Sequence, residues 1–173
     1  MIFLRHPTPD APPGLCYGRL DLAPGAGAGA EIARALKLTP PAARVMASPA
    51  RRCRGLAEAL AARDGVAVEL DDRLWELDFG AWDGRRWCDI PRAESDPWAA
   101  DPWHLAPPGG ESFGALHVRI AAALAGTGPG AVRVSHAGPI RAARMILTGA
   151  SFEAVFAKPV PCATPSRLAR EPA

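Results

Sequence analysis

Short apolar runs and helix-forming segments alternate along this chain, and that alternation restricts the possible folds more than any other feature. Ile2-Phe3-Leu4, Arg44-Val45-Met46-Ala47, Val66-Ala67-Val68-Glu69-Leu70 and Val132-Arg133-Val134 read as strands, because each is a short, mostly apolar run close to turn-forming residues. Between and after them lie Pro24 to Leu38, Arg51 to Arg63, Gly114 to Leu124 and Pro139 to Leu147, where Ala, Ile and Leu recur at helical spacing. Pro139 falls in the first turn of its segment, where a missing N–H leaves no hydrogen bond unmade. A short final strand is expected within Phe156 to Cys162. Strands alternating with helices argue for an α/β domain with a largely parallel sheet covered on both faces. With 173 residues, no internal repeat and no linker, the expectation is one domain over 1–173.

Composition removes several function classes. The hydrophobic fraction of 49% and charged fraction of 22% are those of a soluble globular protein, and a net charge of +2 is too small to argue for a nucleic-acid partner. No stretch approaches the ~20 apolar residues needed to cross a bilayer, and the first residues lack a secretory leader. The expectation is therefore a cytoplasmic protein with no membrane partner. Cys16, Cys53, Cys88 and Cys162 are unevenly spaced with no Cys-x-x-Cys pair, which indicates neither a zinc knuckle nor a disulfide framework. Gly25, Gly27 and Gly29 do not follow a strand directly and have the wrong spacing for a dinucleotide fingerprint. No metal or cofactor is expected, and nothing in the sequence specifies an oligomer.

Two strands end on a histidine. Ile2-Phe3-Leu4 runs into Arg5-His6-Pro7, and Val132-Arg133-Val134 runs into Ser135-His136-Ala137-Gly138. The carboxyl edge of an open α/β sheet is where ligands bind, and a neutral imidazole can act as a covalent nucleophile. Any one histidine is as well explained by a core or surface role; two at strand ends suggest one site. Arg5, Arg19, Arg51, Arg52, Arg54 and Arg141 lie in or next to the same segments, a distribution suited to phosphate.

Four segments in order, Leu4-Arg5-His6 with Thr8, Ser48-Pro49-Ala50-Arg51-Arg52, Leu74 to Gly84 and Ser135-His136-Ala137-Gly138-Pro139-Ile140-Arg141, resemble the histidine phosphatase superfamily, also called phosphoglycerate-mutase-like. The resemblance spans Phe3 to about Leu168. Cys16-Tyr17-Gly18-Arg19-Leu20-Asp21 and Pro108-Gly109-Gly110-Glu111-Ser112-Phe113 are most similar to its α-ribazole phosphatase branch. The resemblance implies a three-layer α/β/α sandwich in which one strand runs antiparallel. It also implies a metal-independent phosphomonoesterase whose partner is a small-molecule phosphomonoester, with a phosphohistidine at His6.

In that family pattern Arg5 and Arg52 clamp the phosphate, since guanidinium forks pair with its oxygens and stay charged. His136 adds a donor and Glu76 carries the proton for the leaving group. Register from Ser48 selects Arg52 over Arg51. Leucine, tryptophan and phenylalanine flank Glu76 and would desolvate it; alternatively it pairs with an arginine, and Asp78 is the less favoured acid. Arg19 either contacts substrate or pairs with Asp21. The chain departs from the pattern at Pro7, where glycine is usual, at Leu56, where threonine is common, and at Ala137.

Trp75, Trp82, Trp87, Trp98 and Trp103 all fall in a proline-rich stretch without clear periodicity, expected to form a covering segment over about 75–110. Its tryptophans either pack, their commoner use, or stack on a flat ring such as that of α-ribazole 5′-phosphate. The cover is short for a phosphomutase, which must shelter its intermediate from water. A mutase remains the competitor among enzymes, and a catalytically inactive phosphate-binding regulatory protein the competitor outside them.

Overall fold

The computed structural model describes residues 1–125, 128 and 130–169. Five strands, β1 (Ile2–Arg5), β2 (Arg44–Ala47), β3 (Val68–Leu70), β4 (Ala131–Ser135) and β5 (Pro165–Arg167), form one sheet in the order β3-β2-β4-β1-β5. All pairings are parallel except that of β5 on β1. The α/β/α sandwich with a mostly parallel sheet expected from the sequence is therefore present, and β5 is its antiparallel strand. Among the described residues no helix is long and apolar enough to cross a membrane.

Alternation of side chains along the strands builds the two covering layers. Leu4, Val45, Ala47, Val132 and Val134 face one side, against α1 (Ala28–Leu38) and α2 (Arg51–Asp64). In α2 the buried Cys53, Leu56, Ala57, Leu60 and Ala61 recur at helical spacing, and each leucine contributes about 1.5–3 kcal/mol by burial. Gly65 ends this helix in the left-handed conformation at φ 68°, which glycine adopts without strain. Phe3 and Met46 face the other side with α4 (Phe113–Leu124) and α5 (Ala137–Thr148), through Leu116, Ile120, Ile140 and Leu147. The Ser112 hydroxyl caps α4 by accepting from Ala115 N. Arg133 shares this second face; it is wholly buried with its guanidinium 5.4 Å over the Phe3 ring, and none of its three guanidinium nitrogens has a hydrogen-bond partner.

Two expectations are corrected. The final strand does not lie in Phe156 to Cys162: α6 (Phe152–Phe156) ends there, Cys162 makes only an isolated bridge to Arg5, and the strand is Pro165–Arg167. Phe152 and Phe156 stack at 4.3 Å on one face of α6, so the apolar run serves helix packing. The aperiodic stretch after Trp75 holds two 3₁₀ turns, Gly80–Trp82 and Trp87–Asp89, and a helix, α3 (Arg92–Ala100), with Pro97 inside it.

Candidate active site

Parallel pairing of β1 with β4 sets Arg5 opposite Ser135, and the His6 N–H continues the ladder to Ser135 O at 2.9 Å. Both strands end at the same edge, so His6 and His136 face each other with ring centroids 5.1 Å apart at 62°. Each is essentially inaccessible to water.

His6 donates from Nδ1 to the carbonyl of Pro7 at 2.6 Å. That bond assigns the tautomer and leaves the Nε2 lone pair free. Burial lowers the His6 pKa from its usual 6.5 to about 3; the Pro7 bond opposes the shift, and the charges of Arg52 and Arg5 add to it. The ring is neutral at ordinary pH, as a nucleophile must be.

Arg52 is buried beside His136, whereas Arg51 is exposed. Arg52 donates from Nε to His136 Nδ1 at 3.3 Å, from Nη1 to Leu20 O at 2.8 Å and from Nη2 to Gly18 O at 2.8 Å. One N–H on each terminal nitrogen remains for a ligand. With Nδ1 accepting, the hydrogen of His136 sits on Nε2 and points to Ser48 Oγ at 2.8 Å. In this state both His136 nitrogens are occupied, which differs from the expectation of a donor waiting for phosphate. Trp75 stacks on His136 at 6.2 Å, nearly parallel, and Arg19 lies 5.5 Å above Trp75.

The loop carrying Gly18 and Arg19 is fixed from below. Asp83 accepts from Gly18 N at 2.5 Å and Arg19 N at 3.0 Å, and a Cβ on Gly18 would overlap the carbonyl oxygen of Leu77. Asp21 takes Arg51 N rather than the Arg19 side chain, and among the described residues no Arg19–Asp21 ion pair forms. Arg5 donates from Nη1 to Val160 O at 3.0 Å, and the Nε hydrogens of both Arg5 and Arg19 are buried without acceptors.

Glu76 meets the N-terminal turn of α5. Its Oε1 accepts from Leu77 N at 2.9 Å and Gly138 N at 3.0 Å, while Oε2 makes only the longer contact to Gly138 N at 3.3 Å. A side chain at 138 would collide with this carboxylate. Helix N-termini favour negative charge, so Glu76 is held by backbone rather than by an arginine. Asp78 instead closes a local turn by accepting from Gly80 N.

Sequence reasoning missed what holds the Glu76 segment. Arg119 of α4 donates to the carbonyl oxygens of Arg73, Trp75 and Glu76 and pairs with Glu111 through two nitrogens. A lone arginine in a helical pattern reads as solvated surface, so nothing local marked it.

Of the tryptophans offered for stacking, Trp82 is 1% exposed and its indole donates to Glu94. Trp103 packs on Phe113, His117 and Phe152, and Trp87 lies on Trp98. Trp98 lines a cavity beside the site.

Paired imidazoles therefore stand at a sheet edge, with guanidinium groups and one carboxylate around them. Over residues 1–172 the chain matches the model of the histidine phosphatase superfamily, branch 1, and it belongs to that family. It is 36% identical over 161 residues to an uncharacterised Mycobacterium tuberculosis protein, Rv0525, covering 84% of this chain and 77% of that one. Its fold is shared with the α-ribazole phosphatase of Shigella flexneri at a TM-score of 0.85 and 22% identity, covering 95% and 87% of the two chains. It is also shared with the mycobacterial glucosyl-3-phosphoglycerate phosphatase Rv2419c at 0.76 and 23%, covering 91% and 82%.

Proposed function

We propose that this protein is a metal-independent phosphomonoester hydrolase acting through a phosphohistidine at His6. The observation that carries this reading is the neutral His6 ring, with Nδ1 tied to Pro7 and Nε2 free, facing His136 within a set of spare guanidinium donors. Nε2 attacks phosphorus in line with the ester oxygen, and the spare N–H groups of Arg52, Arg5 and Arg19 take the equatorial oxygens. Fixed cationic donors in a dry site supply most of the rate.

As the P–O bond to the alcohol breaks, that oxygen takes a proton by way of Glu76 Oε2, the less engaged carboxylate oxygen; the proton enters with the monoanionic form of the substrate. Water then attacks the phosphohistidine, Glu76 accepts the water proton, and phosphate leaves. Arg52 shifts from His136 toward the phosphate during this cycle, and His136 donates from Nδ1 once its hydrogen has moved there from Nε2, the Ser48 hydroxyl then turning to donate to Nε2. Arg5, His6, Arg19, Arg52, Glu76 and His136 thus form the proposed machinery, and 75–110 its covering segment.

The finer substrate proposal is α-ribazole 5′-phosphate, as in cobalamin biosynthesis. Its support is the resemblance of Cys16 to Asp21 and Pro108 to Phe113 to that branch. The test is hydrolysis of nitrophenyl phosphate in excess chelator, with neutral-pH quenching and mass spectrometry for an acid-labile phosphate on the peptide containing His6. Turnover with the adduct supports the reading. Normal turnover by His6→Ala overturns the mechanism, and isomerisation of 3-phosphoglycerate without net hydrolysis would make the protein a mutase.

A further inference from the structure

A cavity of about 320 Å³ adjoins the site, with Glu76 and Arg141 on its wall and the rings of Phe79, Trp98, Phe152 and Phe156 around it. Three separate elements supply those rings: the segment after Glu76, α3 and α6. Pockets of this size accept a small ring system, and apolar aromatic walls leave the hydroxyl groups of a sugar or glycerol moiety without partners.

Arg141 gives the cavity its polar element. Its guanidinium lies 4.6 Å over the Phe156 ring, and among the described residues it makes no hydrogen bond or ion pair. Its Nε is buried without an acceptor. It also lies close enough to Glu76 and Arg5 to feel both charges, so it stands between the phosphate donors and the aromatic rings. A cation in that position, unpaired by protein, is set to meet an acceptor brought by a ligand.

We infer that this cavity holds a planar aromatic ring system carried by the alcohol portion of the substrate, and that Arg141 reads an acceptor group, best an anionic one, on that ring. The inference rests on the phosphomonoesterase reading and places specificity in Arg141 and the Phe152–Phe156 face rather than across the tryptophan-rich stretch. A ring entering the cavity lies against Phe152 and Phe156 with its edge toward Arg141. The ester oxygen is then left near Glu76.

Non-hydrolysable phosphonates separate pocket from chemistry. Calorimetry on the intact protein would compare methylphosphonate, benzylphosphonate and 4-carboxybenzylphosphonate. Benzylphosphonate is expected to bind about 10- to 100-fold more tightly than methylphosphonate through ring burial, and the carboxylate is expected to add about tenfold more. Arg141→Gln should remove the carboxylate gain and keep the ring gain. Phe156→Ala, at a position 41% exposed and so tolerant of truncation, should reduce the ring gain.

Equal affinities for benzyl- and methylphosphonate overturn the inference even if nitrophenyl phosphate is hydrolysed. So does a carboxylate gain that survives Arg141→Gln. The ring preference in a protein without any turnover supports the pocket and refutes the hydrolase. If none of the three binds, the phosphate site and the pocket fall together.

Discussion

Two neutral imidazoles buried in one site should make this protein acid-sensitive in a calculable way. In an unfolded chain histidine takes a proton near pH 6.5; in the folded protein burial, aided by Arg52 and Arg5, holds His6 at about 3. Between those values the unfolded state binds a proton that the folded state refuses, so stability falls as pH drops below 6.5 and stops falling on this account near pH 3. At roughly 1.36 kcal/mol per pH unit, His6 alone removes about 2.5 kcal/mol between about pH 7 and about pH 4.5. His136 is also held well below its usual value, chiefly by burial, and steepens the loss with the same sign.

His6→Asn removes the titrating ring while keeping an amide able to donate to the Pro7 carbonyl. Urea unfolding of both proteins at the two pH values reads the difference without reference to activity. The wild type should lose about 2.5 kcal/mol more than the variant over that interval, by the same conversion. If the two lose stability in parallel, His6 is not held uncharged and the account of its burial is wrong.

Glu76→Gln should slow hydrolysis of alkyl phosphates by about a hundredfold or more and nitrophenyl phosphate far less, since only the alkoxide needs the proton; equal losses in kcat would assign Glu76 to binding or structure. Arg119→Met should lower stability by about 1–3 kcal/mol by stranding Glu111 and three carbonyl groups, and should reduce kcat more than it raises KM, with partial rescue by lysine; an unchanged kcat would show that Glu76 needs no such support. Arg133→Met should stabilise the fold by about 1–4 kcal/mol, because the guanidinium is buried without a hydrogen-bond partner and methionine keeps contact with the Phe3 ring it covers; a lower urea midpoint would reveal a hidden hydrogen-bond partner in solution. Gly18→Ala should weaken phosphate binding several-fold, read as a raised inhibition constant for inorganic phosphate, because its methyl group meets Leu77 O and displaces a carbonyl bonded to Arg52; unchanged inhibition would mean that this loop is free to adjust.

The parallel strands and the histidines at their ends were readable because they are written in local pattern: apolar runs, then His6 and His136. The Arg51 or Arg52 choice was one of register, and α2 turns only Arg52 inward. β5 was not readable, since Pro165-Ser166-Arg167 is polar, short and at a sheet edge, where proline is tolerated and the usual alternation is absent. α3 was hidden by Pro97, whose ring a short exposed helix accommodates. The clamp by Arg119 and the orphaned guanidinium of Arg141 belong to tertiary contacts more than forty residues apart for the former and to packing against α6 for the latter. Neither leaves a trace in spacing. The tryptophans show the converse: their clustering is obvious in the sequence, yet most of them pack on one another.

The position of β1 in the sheet carries a consequence for biosynthesis. The strand that ends in His6 is made first, but its two neighbours, β4 and β5, begin at Ala131 and Pro165. An apolar Ile2-Phe3-Leu4 segment must therefore wait, unpaired on both edges, until Ala131 to Ser135 have left the ribosome, and with one edge open until Pro165 to Arg167 follow; non-local pairing of this kind slows folding. Chaperone dependence and aggregation of nascent chains should concentrate in that interval, and a stop codon before Pro165 would leave one edge of β1 open for strand-to-strand association between molecules.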